Sequence, residues 1–353
     1  MFAKKTISIE IGTATTKVVI GKSRKNNINI EQVWKIPTPV DTFDDGEIVN
    51  LNVMIETLDK FLDENKIKLK EVVFTLQSTK AITREIIIPY VKKEEDLTQM
   101  VQLEIEQYLP IRLEDYIIEY RILEELITEE SKNLVILIVA LPKNIVEGYL
   151  NLTEVLKLKP ISLDINATAV TKFSPEELVK NNENTDLDKT VALLDCGYEY
   201  LNLTIIENGI MRFTRLLNYG GKDIDMSLAN VFNLSLQEAE ERKLEYADLT
   251  DTVFVNDSQN MVNENIKTSI DTWIQEIQKV FRFYSSRKVG NKIDEIYLYG
   301  GSSNIPGMPE YLDKMMNIPT FKINKVHNVN LDNLPGEIVV GDYLNAIASL
   351  KGR

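Results

Sequence analysis

Cysteine occurs once, at Cys196, and histidine once, at His327. A lone cysteine cannot close an internal disulfide, so no disulfide framework holds the chain and a reducing compartment is its natural setting. A single isolated histidine and no cysteine pairs exclude the usual Cys/His metal sites, and His327 reads as a loop residue. No apolar run approaches the ~20 residues that cross a bilayer, and Met1 to Lys5 is not followed by a signal-like apolar segment. No Gly-x-x-x-x-Gly-Lys-Ser/Thr run is present, which removes the P-loop class. Positive charge is short: 40 Lys and Arg against 54 Asp and Glu leave a net charge of −14. Such a balance repels nucleic-acid phosphates and anionic lipid head groups. Acidic pairs such as Glu124, Glu125 and Glu129, Glu130 read as solvated surface, with a basic peptide as the other reading. The expectation is a cytosolic chain that reaches a membrane only through a partner.

The apolar share of 44% and charged share of 27% are ordinary for a globular protein, with no Gly/Ser, Pro or Gln tract to dilute them. The 353 residues suffice for two cores of roughly 150 residues each. Ile7, Ile9 and Ile11 alternate, the pattern resumes at Val18 to Ile20 after a Gly12 turn, and Ile28 and Ile30 lead to Trp34 and Ile36. Period two with a tight turn predicts three meandering strands. A helix over 51–65, with Met54, Leu58, Phe61 and Leu62 on one face, and a strand over 72–76 follow.

Residues 82–160 carry a pattern of their own: strand 82–88, a helix through Leu97, Val101, Ile105 and Tyr108, two strands ending at 134–141, and a helix over 145–156. That is enough for a small α+β subdomain. The opening pattern then recurs. Thr-Ile-Ser-Ile-Glu-Ile-Gly near the start and Val-Ala-Leu-Leu-Asp-Cys-Gly at 191–197 both end an apolar strand with acid-x-Gly, about 185 residues apart, a spacing that suits a duplicated domain. A long amphipathic segment, Ile266, Ile270, Trp273, Ile277, Phe281 and Tyr284, reads as core packing. Strand 295–299, a helix after Pro306 and a closing helix through Leu344, Ile347 and Leu350 complete the chain.

A single acid-x-Gly hairpin needs no functional explanation, because glycine permits the turn and the acid can cap it. Three turns at strand ends are different: Glu10-Ile11-Gly12-Thr13-Ala14-Thr15-Thr16-Lys17, Asp195-Cys196-Gly197-Tyr198-Glu199-Tyr200, and Gly300-Gly301-Ser302-Ser303-Asn304. Each can aim backbone N–H groups at a phosphate, and two facing hairpins hold a polyphosphate from both sides. Glu10 and Asp195 then repel each other unless a cation intervenes, and Mg²⁺ shared with phosphates is the natural bridge. Gly220-Gly221 at a helix start gives a second close backbone approach, and Glu240 and Lys243 offer charge for ribose or phosphate.

The three turns, in this order, resemble the phosphate-1, phosphate-2 and adenosine motifs of the actin, sugar-kinase and heat-shock-chaperone ATPase superfamily. Leu103-Glu104-Ile105-Glu106-Gln107-Tyr108-Leu109-Pro110, Val139-Ala140-Leu141-Pro142 and Leu158-Lys159-Pro160-Ile161-Ser162-Leu163-Asp164 are similar to segments of its PilM family. The resemblance covers essentially the whole chain. It implies an α/β actin-like (ribonuclease H-like) duplicated fold, two lobes around a nucleotide cleft, with an insert of the subdomain 1C type found in FtsA and PilM. The expected division is 1–81 first lobe, 82–160 insert, 161–189 connecting helix and return, 190–340 second lobe, and 341–353 closing helix.

Carried over by position, the resemblance implies ATP or ADP with Mg²⁺. Glu10 and Asp195 would lie near the metal, holding it through water, with Gly12, Thr13, Ala14, Thr15, Thr16, Lys17, Gly197, Tyr198, Glu199 and Tyr200 around the phosphates. Gly220, Gly221, Glu240, Lys243, Gly300, Gly301, Ser302, Ser303 and Asn304 would surround the nucleoside, and Asn166 would position water. Two departures stand out: Glu10 where aspartate is usual, and Tyr198 where a small residue is usual, so hydrolysis is expected to be slow or absent. The implied role is a scaffold of type IV pilus assembly holding the cytoplasmic tail of a PilN-like membrane protein, with other pilus components and self-association as further contacts. The other readings are an FtsA-like polymerising division protein, which should end in a linker and membrane helix beyond a point like Leu350, and a sugar-kinase-type phosphotransferase, which needs a base carboxylate and a substrate cleft.

Overall fold

A computed structural model of the chain describes residues 4–108, 112–128, 131–180, 183–184, 189–250, 257–332 and 334–352. Leu109, Pro110, Glu129 and Glu130 of the segments quoted above lie outside the described residues. The chain opens with β1 (Lys5–Ile11), β2 (Thr15–Arg24) and β3 (Asn27–Pro37), then the two-residue strands β4 (Phe43–Asp44) and β5 (Glu47–Ile48), α1 (Leu51–Glu64) and β6 (Glu71–Leu76). Asn50 caps α1, its side chain accepting from the Val53 N–H. Next come β7 (Ile82–Pro89), α2 (Glu94–Tyr108), β8 (Tyr116–Ile127), β9 (Lys132–Pro142), α3 (Lys143–Val155), β10 (Lys159–Ile165) and α4 (Asn166–Val170).

The second half supplies β11 (Leu178–Lys180), β12 (Glu183–Asn184), β13 (Val191–Cys196), β14 (Leu201–Glu207), β15 (Ile210–Leu217), α5 (Gly221–Phe232), α6 (Leu236–Tyr246) and α7 (Asp257–Ser286). It ends with β16 (Glu295–Tyr299), α8 (Met308–Met316), β17 (Thr320–Val326), β18 (Val329–Asn330) and α9 (Leu344–Ser349).

The duplication is visible in the pairing. β1 is antiparallel to β2 and parallel to β6, while β13 is antiparallel to β14 and parallel to β16. The first sheet runs β10-β6-β1-β2-β3-β18 and the second β12-β11-β17-β16-β13-β14-β15. Ile7, Ile9 and Ile11 face a core shared with α1 and α3, whereas Ser8 and Glu10, on the opposite face of β1, hydrogen-bond α9. Helices cover both faces, which is why β1 and β13 are buried throughout most of their length.

The middle layer contains α4 and α9, packed between the sheets with Phe173, Tyr297, Tyr299 and Leu344. On the far side of the second sheet, Ile266, Ile270, Trp273, Ile277 and Phe281 of α7 are buried in its core, as the amphipathic spacing predicts. Both acid-x-Gly turns lie at the carboxyl ends of parallel-paired strands, where ligands of open α/β sheets sit.

Packing divides the chain differently from the sequence pattern. Strands β7, β9 and β8 form a separate three-stranded sheet with α2 against it. The helix read as the last element of the insert, α3, instead buries Ile145, Tyr149 and Leu152 in the first lobe's core, and β10 pairs with β6. By packing, the insert ends at Pro142 and not at 160. The connecting helix is only Asn166–Val170, and β11 already belongs to the second sheet. β18 crosses back to pair with β3 of the first sheet, and His327 lies in the turn before it.

Candidate functional site

The two hairpins close in the same way: Gly12 N–H donates to the Thr15 carbonyl at 3.1 Å, and Gly197 N–H donates to the Tyr200 carbonyl at 3.1 Å. Thr38 Oγ1 donates to the Gly12 carbonyl at 2.7 Å and pins the first turn from β3's end. The hairpins face each other across a cleft lined by Glu10 to Thr15, Lys17, Asn166, Asp195 and Gly197 to Tyr200, with Phe43, Asp45, Gly46 and Gln77 on one wall. Thr13 Oγ1 donates to Glu199 Oε2 at 2.7 Å, and Lys222 Nζ holds the other Glu199 oxygen at 3.0 Å. The volume of this open cleft is about 80 Å³.

Glu10 and Asp195 converge at the floor of this cleft. Both are buried, and both accept from a single nitrogen, Asn345 Nδ2, at 3.1 Å and 2.8 Å. Lys17 Nζ lies 3.2 Å from Glu10 Oε1. Burial works against the Lys17 charge, but Glu10, Asp195 and Asp342 outweigh it and hold the ammonium above its ordinary value. Burial pushes Asp195 from the ordinary 3.8 up to about 7, with Lys17 opposing the rise and Glu10 adding to it. Glu10 Oε2 has no hydrogen-bond partner among the described residues.

Asn166 begins α4 directly after β10. Its Oδ1 accepts from Thr75 Oγ1, and its Nδ2 is shared between Glu10 Oε1 and Gln77 Oε1, each at 3.4 Å. In this arrangement the amide orients Glu10 and Gln77 before it can orient a water.

The residues expected around a nucleoside form two groups. Gly221 N–H and Ser302 Oγ both donate to the Gly197 carbonyl, at 3.1 Å and 3.0 Å, so the second hairpin, the Gly220-Gly221 turn and the Gly300-Gly301 turn meet there. Gly300 has φ +84°, and a Cβ at this position would lie 2.3 Å from Asp195 Oδ1. Only glycine lets this turn pass against the acid. The Tyr198 ring lies against Gly221, its Cδ2 3.7 Å from where a Cβ would be. Burial, with Asp225, Glu240 and Glu199 nearby, raises the Tyr198 phenol above its ordinary value. Lys243 Nζ is 2.7 Å from Oδ1 of the fully buried Asp225. Glu240 stands exposed on α6, and Gly301 is exposed as well.

Ser303 and Asn304 turn elsewhere. Ser303 Oγ donates to the Gly300 carbonyl at 2.6 Å. Asn304 donates to Asp342 Oδ1 and accepts from Lys322 Nζ, both at 2.6 Å. Together they line a second hollow of about 280 Å³ with Pro306, Phe321 and Lys322. Asn345, Gln77, Asp225, Asp342 and Lys322 were not picked out from the sequence. Gln77 had a signal, since it directly follows the apolar strand 72–76. Asn345 had one too, as a polar residue inside the apolar Leu344 to Ala348 run.

The donor set admits a hydrated divalent cation. Glu10 offers a bare, buried carboxylate oxygen beside Asp195, and one or two carboxylates plus phosphate and water oxygens make an ordinary Mg²⁺ shell. Among the described residues no group of three or more His, Cys, Asp or Glu gathers to hold a metal unaided. No helix among them is long and apolar enough to cross a membrane.

Duplicated sheets, paired acid-bearing hairpins and a small inserted α+β unit define an actin-like ATPase fold. The chain belongs to the family of type IV pilus assembly protein PilM, matching it over residues 8–337. It is similar to the solved PilM–PilN type IV pilus biogenesis complex, with TM-score 0.81 at 21% identity over 99% of this chain and 98% of that one. MreB5 of Spiroplasma citri, solved bound to ADP, shares the fold at TM-score 0.52 and 11% identity over 98% of this chain and 94% of that one. Cell division protein FtsA of Bacillus subtilis is 23% identical over 340 residues, 86% of this chain and 74% of that protein.

Proposed function

We propose that this chain is an ATP- or ADP-binding scaffold of type IV pilus assembly that holds the cytoplasmic tail of a PilN-like membrane protein, and so sits at the inner face of the membrane through that partner. The observation that carries the reading is the family match across residues 8–337 together with Glu10 and Asp195 meeting between the two hairpins.

Thr13 to Lys17 and Gly197 to Tyr200 present backbone N–H groups to the phosphates from opposite sides. Lys17, now beside Glu10, is within the cleft to neutralise phosphate charge. Glu10 and Asp195 would hold Mg²⁺ through water, and the cation supplies the charge neutralisation that lets two acids and a polyphosphate share one site. Tyr198, Gly221 and Lys243 border the place for the nucleoside. For a nucleotide to enter, the Thr13–Glu199 bridge must part. With Asn166 committed to Thr75, Glu10 and Gln77, hydrolysis is slow.

The insert supplies the partner surface. β8 lies at one edge of its sheet and exposes Ile117, Ile122 and Ile127. An extended peptide can add to such an edge through main-chain hydrogen bonds, its alternate side chains meeting Ile117 on one face and Ile122 and Ile127 on the other. The net charge of −14 favours a tail carrying Lys or Arg. The test is fluorescence anisotropy of a labelled PilN-like tail peptide against the full chain and Ile117→Asp/Ile122→Asp. Loss of binding in the variant supports the assignment, and equal affinity removes it.

A further inference from the structure

The two oxygens of Glu10 are treated unequally. Three donors crowd Oε1: Lys17 Nζ at 3.2 Å, Asn345 Nδ2 at 3.1 Å and Asn166 Nδ2 at 3.4 Å. None reaches Oε2, which is buried. Buried polar atoms are nearly always satisfied, and an exception points to a missing water or ion. Asn345 repeats the asymmetry on the other acid, donating to Asp195 Oδ2 and not to Oδ1.

One amide nitrogen carries two N–H groups, so both bonds form together. The amide orientation is decided by its surroundings, because reversed it would turn its carbonyl oxygen toward two carboxylates. Asn345 is buried on α9, in the layer between the sheets, and the acids it joins come from β1 of the first sheet and β13 of the second. It therefore ties one oxygen of each acid across the two lobes and leaves the others outside its grip.

We propose that Asn345 is a positioning residue of the divalent-cation site, fixing one oxygen each of Glu10 and Asp195 so that Glu10 Oε2 stays free of donors for the cation. The inference rests on the nucleotide and Mg²⁺ reading above. Outer hydrogen bonds to ligating carboxylates are part of a metal site, and their loss costs metal affinity about 10- to 100-fold.

The test is thermal denaturation of nucleotide-free, metal-stripped protein with ADP present and Mg²⁺ titrated, for wild type, Asn345→Leu and Asn345→Asp. Wild type should show a Mg²⁺-dependent rise in Tm. Asn345→Leu should need about 10- to 100-fold more Mg²⁺ for the half-maximal rise. Asn345→Asp keeps the shape, loses the donor and adds charge, so it should be less stable than wild type without Mg²⁺ and recover most of the difference with it. If Asn345→Leu does not fold, Asn345→Asp alone decides. Equal loss of stability with and without Mg²⁺, at an unchanged half-maximal concentration, would make Asn345 a packing residue and overturn the proposal. A wild type with no Mg²⁺-dependent response to ADP would instead overturn the nucleotide reading itself, before any variant is compared.

Discussion

Thr13 and Glu199, 186 positions apart in the chain, are joined by a 2.7 Å hydrogen bond that closes the first acid-bearing hairpin against the second. Glu199 also sets a negative charge where the phosphates would pass. Glu199→Ala should therefore speed ATP association. Such a hydrogen bond is worth ~0.5–1.5 kcal/mol net, so the gain should be about two- to twelvefold. Stopped-flow fluorescence with a labelled ATP measures it, and slower association would mean that Glu199 guides the nucleotide.

Asp195 gives the metal-free protein a pH dependence of definite sign. Its folded value of about 7 stands above the ordinary 3.8, so between the two the folded state binds more protons than the unfolded chain. This group's contribution to stability falls as pH rises through that window and levels off above it. The lysine-paired acids Glu31 and Glu177, held below the ordinary 4.5, act with opposite sign but at lower pH. Tm in chelator should be higher near pH 5.5 than near pH 8, and Asp195→Asn should flatten the difference. An unchanged slope in the variant would assign the dependence elsewhere.

Gly300→Ala tests the close approach of the third turn to Asp195. A Cβ at φ +84° costs ~1–2 kcal/mol in backbone strain alone, and its collision with Asp195 Oδ1 adds to that. Urea denaturation should show a loss of at least that size. A near-neutral result would mean that the turn can shift away from the acid.

Arg212 of β15 links the second lobe to the insert through Glu124 at 2.6 Å and Glu85 at 3.4 Å, with Glu207 also at 3.3 Å. Removing Arg212 leaves three partly buried carboxylates without its charge. Breaking fully buried pairs costs ~3–5 kcal/mol, and partial exposure brings Arg212→Leu to about 1–3 kcal/mol. Hydrogen exchange should rise in β7 and β8 specifically. Unaltered exchange there would show that the bridge does not hold the insert.

Excision tests where the insert ends. Ile82 pairs directly with Ala140, so its two connections are neighbours and a short linker can replace 83–139. That protein should keep nucleotide binding and lose the tail. Removing 82–160 should instead unfold the first lobe, because α3 and β10 go with it. Circular dichroism separates the two outcomes.

The turns and strands were readable because their chemistry is local. An acid-x-Gly after alternating Ile or Leu announces a hairpin wherever it occurs, and the α7 stripe announces a buried face. What periodicity does not carry is which core a helix joins: Ile145, Tyr149 and Leu152 read as an apolar face equally well in the insert or the first lobe. Asn345 was missed for a related reason, since its meaning lies in contacts with Glu10 and Asp195, 335 and 150 positions away. Asn304 was placed in the right turn, but its direction depends on Asp342 and Lys322, which only the folded chain brings to it.

Calorimetric titration of ADP into nucleotide-free protein, with and without Mg²⁺, addresses the central claim most directly. The account predicts binding that depends on Mg²⁺, weakened more by Asp195→Ala than by Glu10→Ala, whose longer side chain already departs from the usual aspartate. Absence of heat in wild type, together with no thermal shift at millimolar ATP and Mg²⁺, would contradict it.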